Sequence, residues 1–340
     1  AGADGQDLGN APKEMEWMKR LSATIQRPVT FALLQNETEP SLWKQLLEES
    51  LEATEQGSQC FPQVAGRPFG LLIGLQTHHA FAKRPTFINI AHLPHNELVE
   101  QLKQSSTRTA ILNETDTDPD PKILFDGMSR MIQSMLHRLY PMGEIPDYEP
   151  DPTQSFVSIA ETRNTTPEAV LYDYMLENDG YAMGMMPIFN YVDGNHDVIR
   201  EMLLHPQAVS GLSDGGAHCG MICDASIPTF MLSHWTRDRT RGKKLPLEWI
   251  IKKQTNDTAS LYGLNDRGTL QTGKRADINV IDYNALTLHG PKMAHDLPAG
   301  GRRLLQEATG YDYTIVAGTI TRQFGQDTGQ RPGRLIRGAR

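Results

Sequence analysis

Apolar and polar positions alternate between two periods along this chain. From residue 13 to 26, Met15, Trp17, Met18 and Leu21 recur at helical spacing. Pro28 to Gln35 is a nearly continuous apolar run, which suits a strand buried on both faces of a parallel sheet. Residues 40–56 return to helical spacing and are closed by Gly57. A second short run, Cys60 to Val64, follows, so strand, helix and strand make one βαβ unit. Residues 71–150 are less regular. Leu98–Lys103 and Ile123–Leu139 read as helices, 107–121 as a polar loop, and 141–152 as a proline- and acid-rich connector or lid. Thr166-Pro167-Glu168 predicts a helix start running to Leu176. Met185–Tyr191 is a third strand candidate, His196–Leu204 a helix, and 209–214 a fourth strand. Leu247–Tyr262 is one more helix, closed by Gly263. Beyond Arg267 the period becomes two, at Gly268–Leu270, Ala276–Asp282, Tyr313–Val316 and Thr319–Thr321, the last two joined by the hairpin signal Ala317-Gly318.

The fourth strand carries the candidate chemistry. It ends abruptly in Ser213-Asp214-Gly215-Gly216-Ala217-His218. A carboxylate at the carboxyl end of a buried strand, with glycines that allow a ligand to approach the backbone, lies where α/β sheets and barrels do their chemistry. Such a group ligands a divalent metal or moves protons for a water activated by one. An Asx turn at Asp214 is the bland alternative.

Composition narrows the class. The 340 residues are 39% hydrophobic and 22% charged, which suits a globular protein with a sizeable core. A net charge of -8 and scattered basic residues argue against nucleic-acid binding. No window approaches 18 apolar residues, so no membrane span is expected. Three cysteines (Cys60, Cys219, Cys223) suit a reducing, cytoplasmic setting better than a disulfide framework. Cys219 and Cys223, four apart without a second pair, read as small buried thiols rather than a zinc site.

The motifs bring a family into view. Gly211–His218, Cys223-Asp224-Ala225-Ser226, His234–Arg239, Leu245–Trp249 with Gln254–Ala259, Gly268 with Gly273–Asp277, and His295–Gly301 resemble the N-acyl-D-amino-acid deacylase (D-aminoacylase-like) branch of the amidohydrolase superfamily. The resemblance runs over nearly all of the chain and is densest after residue 185. It implies an α/β fold: the C-terminal part of a (β/α)8 TIM barrel over residues 1–262, plus a small β-sandwich appendage over 263–340. It also implies hydrolysis of an amide, typically of an N-acyl-D-amino acid, with one or two divalent ions such as Zn2+.

The departures from the family pattern are informative. The His-x-His pair of the family's first strand and its Asn-Cys-Gly segment do not occur here. Val29–Gln35 and Phe61–Val64 correspond to the fifth and sixth barrel strands, and Gln35 and Gln63 sit near positions where the family carries metal-binding histidines. A neutral amide is a poor zinc ligand. The chain is therefore expected to lack the His-x-His half of the metal site, with the N-terminal half of the barrel supplied by the same polypeptide or a separate chain. On this plan Asp214 is the catalytic base and a metal ligand. Arg67, His218 and Gln35 are candidate substrate-binding residues, Arg67 as a clamp for the α-carboxylate or, equally, as a salt bridge to a loop acid. His78 and His79 are loop residues and His205 belongs to the far end of a barrel. Alone, the chain is expected to bind zinc poorly. Two other readings stay open: another amidohydrolase reaction, such as opening a cyclic amide, and an inactive barrel remnant serving as a binding or structural partner.

Overall fold

The computed structural model describes residues 11–211, 213 and 218–337. The helix Ala11–Ile25 turns Met15, Met18 and Ser22 inward and leaves Trp17, Leu21 and Ile25 exposed. Six strands follow in the first part of the chain: β1 (Val29–Leu33), β2 (Cys60–Ala65), β3 (Gly70–Ile73), β4 (Tyr140–Pro141), β5 (Gly184–Pro187) and β6 (Val209–Gly211). They form two sheets. The first is parallel, in the order β1-β2-β6, with Leu33 opposite Val64 and Ala65 opposite Gly211. The second is antiparallel, in the order β3-β5-β4.

The parallel sheet forms as the apolar runs require. Leu33, Cys60, Val64 and Ala65 are fully buried, and the helix Leu42–Glu55 covers the sheet with Trp43, Leu46 and Leu47. All of these but Ala65 join Met15, Met18, Ile199, Met202 and Trp235 in one core. β6 reaches β2 closely because it ends in glycine. A Cβ on Gly211 would stand 2.5 Å from the Cβ of Gln63.

The antiparallel sheet has a core of its own, in which Ile73, Ile111, Ile132, Leu139, Phe156, Leu171 and Met186 are buried together. Here the structure departs from the sequence expectations. The Met185–Tyr191 run supplies β5, paired antiparallel with Leu71–Ile73, not a further parallel strand. Within the expected loop 107–121, residues up to Asn113 belong to a helix, Ser105–Asn113, whose single buried residue, Ile111, left no apolar stripe to read. The expected helix 123–139 shortens to Met128–Ser134, because Phe125 at φ 65 belongs to a turn before it. The helix Pro167–Met175 begins as expected, with the Thr166 side chain accepting from the Ala169 N–H at 3.2 Å.

After residue 277 the chain is β. It forms β7 (Ile278–Ile281), β8 (Thr287–Leu288), β9 (Lys292–Leu297), β10 (Gly301–Leu305), β11 (Ala308–Thr309), β12 (Tyr311–Val316), β13 (Thr319–Gln323) and β14 (Gln326–Asp327). The largest sheet runs β14-β13-β12-β7, with β9-β10 and β8-β11 as two-stranded pairs. Ala317 and Gly318 make the β12–β13 turn with φ of 50 and 80, the positive values a tight hairpin needs. Gly268–Leu270 forms no strand. This region rests on the helix Ile227–Ser233: Thr229 Oγ1 and Tyr311 OH are 2.8 Å apart, and Ser226 Oγ donates to Gln306 Oε1 at 2.5 Å. Among the described residues no helix is long and apolar enough to cross a membrane. Cys60, Cys219 and Cys223 are free thiols.

Candidate functional site

The carboxyl ends of β1, β2 and β6 lie side by side, so the residues that follow them share one end of the parallel sheet. Asp214 lies outside the described residues, as do Leu212 and 215–217. Gln35, after β1, is buried and fully engaged. Its backbone N–H donates to Asn190 Oδ1 at 2.7 Å, its Nε2 to Asp193 Oδ2 at 3.0 Å, and its Oε1 accepts from the Val192 N–H at 3.3 Å. It ties the loop after β5 to the end of β1. Gln63 donates to Thr30 Oγ1 at 2.8 Å, across the two strands.

Arg67, just beyond β2, is 1% exposed. Its Nη2 donates to the Cys223 carbonyl at 2.6 Å and faces Asp224 Oδ1 at 3.4 Å, and its guanidinium lies 3.7 Å from the centre of the Tyr148 ring. Of the two roles the sequence allowed it, the pairing with a loop acid is the one these contacts make. Arg67 therefore pins the loop that follows the 209–218 stretch. His218 is exposed and left-handed at φ 53, its carbonyl accepts the Met221 and Ile222 N–H groups, and its ring meets the Phe125 ring edge-on at 5.6 Å. His78 meets the same ring at 6.2 Å. His79 is fully buried: its Nδ1 accepts the Phe81 N–H at 3.2 Å, and burial lowers its pKa to about 3. His205 accepts the Gln207 N–H ahead of β6, at the amino end of that strand. Arg67, His218 and Gln35 thus each have separate partners.

The structure assembles a cluster the sequence reading missed. Glu149 comes from the connector before Pro152, His196 from the start of the helix Asp197–Leu204, and His234 from the end of the helix Ile227–Ser233. One ligand atom of each lies within 4.8 Å of the others. His234 Nε2 is 3.0 Å from Glu149 Oε2, and His196 Nδ1 is 3.7 Å from the same oxygen. Arg239 grips the carboxylate from the other side, and the His196 backbone N–H donates to Oε1 at 2.7 Å. Burial alone would raise the Glu149 carboxyl. The hydrogen bonds from His234 and Arg239, with His196 facing it, outweigh burial and hold the carboxyl far below the usual carboxylate range. Burial lowers His196 to about 3, so its ring is neutral at pH 7. Its Nε2 faces the Tyr148 carbonyl at 2.8 Å. A carbonyl only accepts, so Nε2 carries the hydrogen and Nδ1 the lone pair. The three residues are far apart in sequence and share no motif. The one available signal was the His234–Arg239 segment, noted for family likeness alone.

Residues 167–322 match the amidohydrolase family. The stretch includes β5, β6, His196, His218 and His234, and with them the motifs that carried the resemblance. No curated protein sequence matches the chain. Among solved structures, a D-aminoacylase mutant in complex with copper chloride has a TM-score of 0.50 at 17% identity, covering 96% of this chain and 53% of that one. A D-aminoacylase described by its binuclear metal center gives 0.49 at 17%, covering 94% and 52%. An N-acyl-D-glutamate deacylase from Bordetella bronchiseptica, complexed with zinc and a phosphonate inhibitor, gives 0.45 at 15%, covering 97% and 54%. The likeness at 0.50 is one of fold. The chain spans about half the length of these solved chains.

The resemblance implies a metal, and the donor sets present differ in how well they suit one. Gln35 and Gln63 offer neutral amides already committed to Asp193, Val192 and Thr30, which does not suit zinc. Glu149, His196 and His234 offer one carboxylate and two imidazoles, which does.

Proposed function

We propose that this chain is the C-terminal part of a metal-dependent amide hydrolase that deacylates N-acyl-D-amino acids, with Asp214 as its catalytic acid–base. The reading is carried by one relationship. β6 lies parallel to β2 with Ala65 opposite Gly211, and Asp214 follows three residues later in sequence, inside the stretch that matches the amidohydrolase family. Asp214 is also a ligand of the catalytic zinc in this proposal, with the remaining ligands supplied by polypeptide outside these residues. Bound there, a divalent ion would supply Lewis-acid chemistry, making a water more acidic and the amide carbonyl more electrophilic. Asp214 takes a proton from the attacking water and returns it to the nitrogen of the leaving amine, so one carboxylate serves both halves of the hydrolysis. Arg67 holds the Cys223–Asp224 segment, and Gln35 holds the 190–193 loop, at the mouth where an N-acyl amino acid would enter. His218, exposed beside Phe125, is available to the substrate.

The test is reconstitution with the polypeptide carrying the remaining ligands, followed by release of free amine from N-acyl-D- and N-acyl-L-amino acids. Activity on the D-series that Asp214→Asn removes is the expected result. An assembly that hydrolyses equally well with Asn at 214 overturns the assignment. An assembly that takes up metal and opens only cyclic amides overturns the substrate, and one with no hydrolase activity leaves the chain as a binding partner.

A further inference from the structure

We propose that Glu149 Oε2, His196 Nδ1 and His234 Nε2 form a binding site for one zinc-like divalent cation, built wholly within this chain and independent of the Asp214 reading. Three features carry it.

The first is the lone pair on His196. Its side chain is fully buried, Nε2 is spent on the Tyr148 carbonyl, and Nδ1 has no hydrogen-bond partner among the described residues. A buried acceptor without a partner is unfavourable, so it favours a ligand that accepts its lone pair. Nδ1 is 3.7 Å from Glu149 Oε2, so its lone pair lies on the cluster. A histidine whose second nitrogen donates to a backbone carbonyl is the usual form of a metal-binding imidazole, since that bond fixes both tautomer and ring orientation.

The second is the carboxylate. Glu149 is held by Arg239 Nε at 3.1 Å and Nη2 at 2.8 Å and by the His196 N–H at 2.7 Å. Those contacts fix its orientation without the cation. The remaining contact on Oε2 is His234 Nε2 at 3.0 Å. A cation takes the place of the hydrogen between those two atoms. The ion displaces the hydrogen on His234 Nε2, and any proton lost by the ring goes to solvent at its exposed edge. The His234 side chain is 15% exposed, which leaves a route in for the ion and for a water as fourth ligand.

The third is chemical type. Two imidazoles and one carboxylate suit zinc, copper and nickel better than calcium or magnesium, which prefer all-oxygen sites. Asp197 at 2.9 Å offsets the Arg239 charge, which leaves the Glu149 carboxylate to face the cation.

The experiment is metal uptake by the chain alone after removal of metal with a chelator. Wild type should take up one zinc per chain, against the poor binding expected from Asp214 with Gln35 and Gln63, because this cluster was not part of that expectation. It should also bind cobalt(II) with the intense visible absorption of a four-coordinate ion, a readout that needs neither activity nor a variant. His234→Gln keeps a donor to Glu149 but offers only an amide. It should lower zinc affinity by more than about 100-fold, beyond the 10–100-fold typical of losing an outer hydrogen bond. Zinc should raise the unfolding temperature of wild type and not of this variant. Asp214→Asn should leave uptake unchanged, which separates this site from the proposed catalytic one. Wild type that retains no zinc, His234→Gln that binds as wild type, or Asp214→Asn that loses the ion would each overturn the proposal.

Discussion

Arg239 and Glu149 meet through two parallel hydrogen bonds, Nε to Oε2 at 3.1 Å and Nη2 to Oε1 at 2.8 Å, with side chains 0% and 3% exposed. The pair joins the connector at 149 to the segment after the Ile227–Ser233 helix, and the same guanidinium stacks over Trp235 at 4.7 Å. Arg239→Met removes the cation and leaves a buried carboxylate with His234 and one backbone N–H. The expected loss is about 3–5 kcal/mol, read from urea unfolding. A loss below about 1 kcal/mol would mean that the pair adds little beyond packing.

Stability should fall on acidification in two stages. His79 and His196 stay neutral in the fold down to about pH 3, while the same groups in the unfolded chain take a proton below about 6.5. The unfolded state therefore binds more protons below 6.5, so stability is complete above that pH and declines from there toward 3. Glu149 adds a second stage. Its folded carboxyl lies below the ordinary 4.5, so its contribution is present above 4.5 and is lost as pH falls beneath it. Urea midpoints at pH 7.5, 5.5 and 4, each on the order of one pH unit from these thresholds, check both stages. A midpoint unchanged between the first two refutes the histidine stage.

Two glycines separate backbone crowding from side-chain crowding. A Cβ at Gly70 would stand 2.0 Å from the Met186 carbonyl oxygen, so Gly70→Ala has to push β3 away from β5. At Gly66 the nearest atoms are Met231 Cγ at 2.4 Å and Sδ at 2.6 Å, and a methionine side chain can swing aside. Gly70→Ala should cost about 1–3 kcal/mol and Gly66→Ala clearly less, again by urea unfolding. The reverse order would show that Met231 is locked.

Loss of Asp214 should affect reaction and not folding. Asp214→Asn in the reconstituted hydrolase is expected to lower kcat by about 10²–10⁴-fold, the range for a positioned acid–base group, with the urea midpoint unchanged. A variant that loses stability instead marks Asp214 as a turn residue of the structural kind.

What could be read in advance followed the strength of local pattern. β1, the helix Leu42–Glu55 and β2 were legible because a nearly continuous apolar run, a helical stripe and a second short run follow one another with turn residues between them. The Pro167–Met175 helix announced itself through its Thr166 cap, and the β12–β13 hairpin through Ala317-Gly318. The antiparallel sheet was not legible. Gly70–Ile73, Tyr140–Pro141 and Gly184–Pro187 are two to four residues each, and their pairing is set by distant partners. Arg67 could be placed after a strand, yet its choice between substrate and Asp224 depends on Tyr148 and Cys223, which no spacing links to it. The Glu149–His196–His234 cluster is a product of packing alone. Its members sit in a connector, a helix start and a helix end, and they meet only once those elements are in place.

The parallel sheet has a consequence for how the protein can be handled. β2 is flanked on both sides, whereas β1 and β6 are each bonded to a strand on one side alone among the described residues. An extended segment that docks there gains a row of backbone hydrogen bonds irrespective of its identity. Completion by the right segment and clumping with the wrong one are therefore rival second-order outcomes. Dilution, or early mixing with a complementary polypeptide, decides between them.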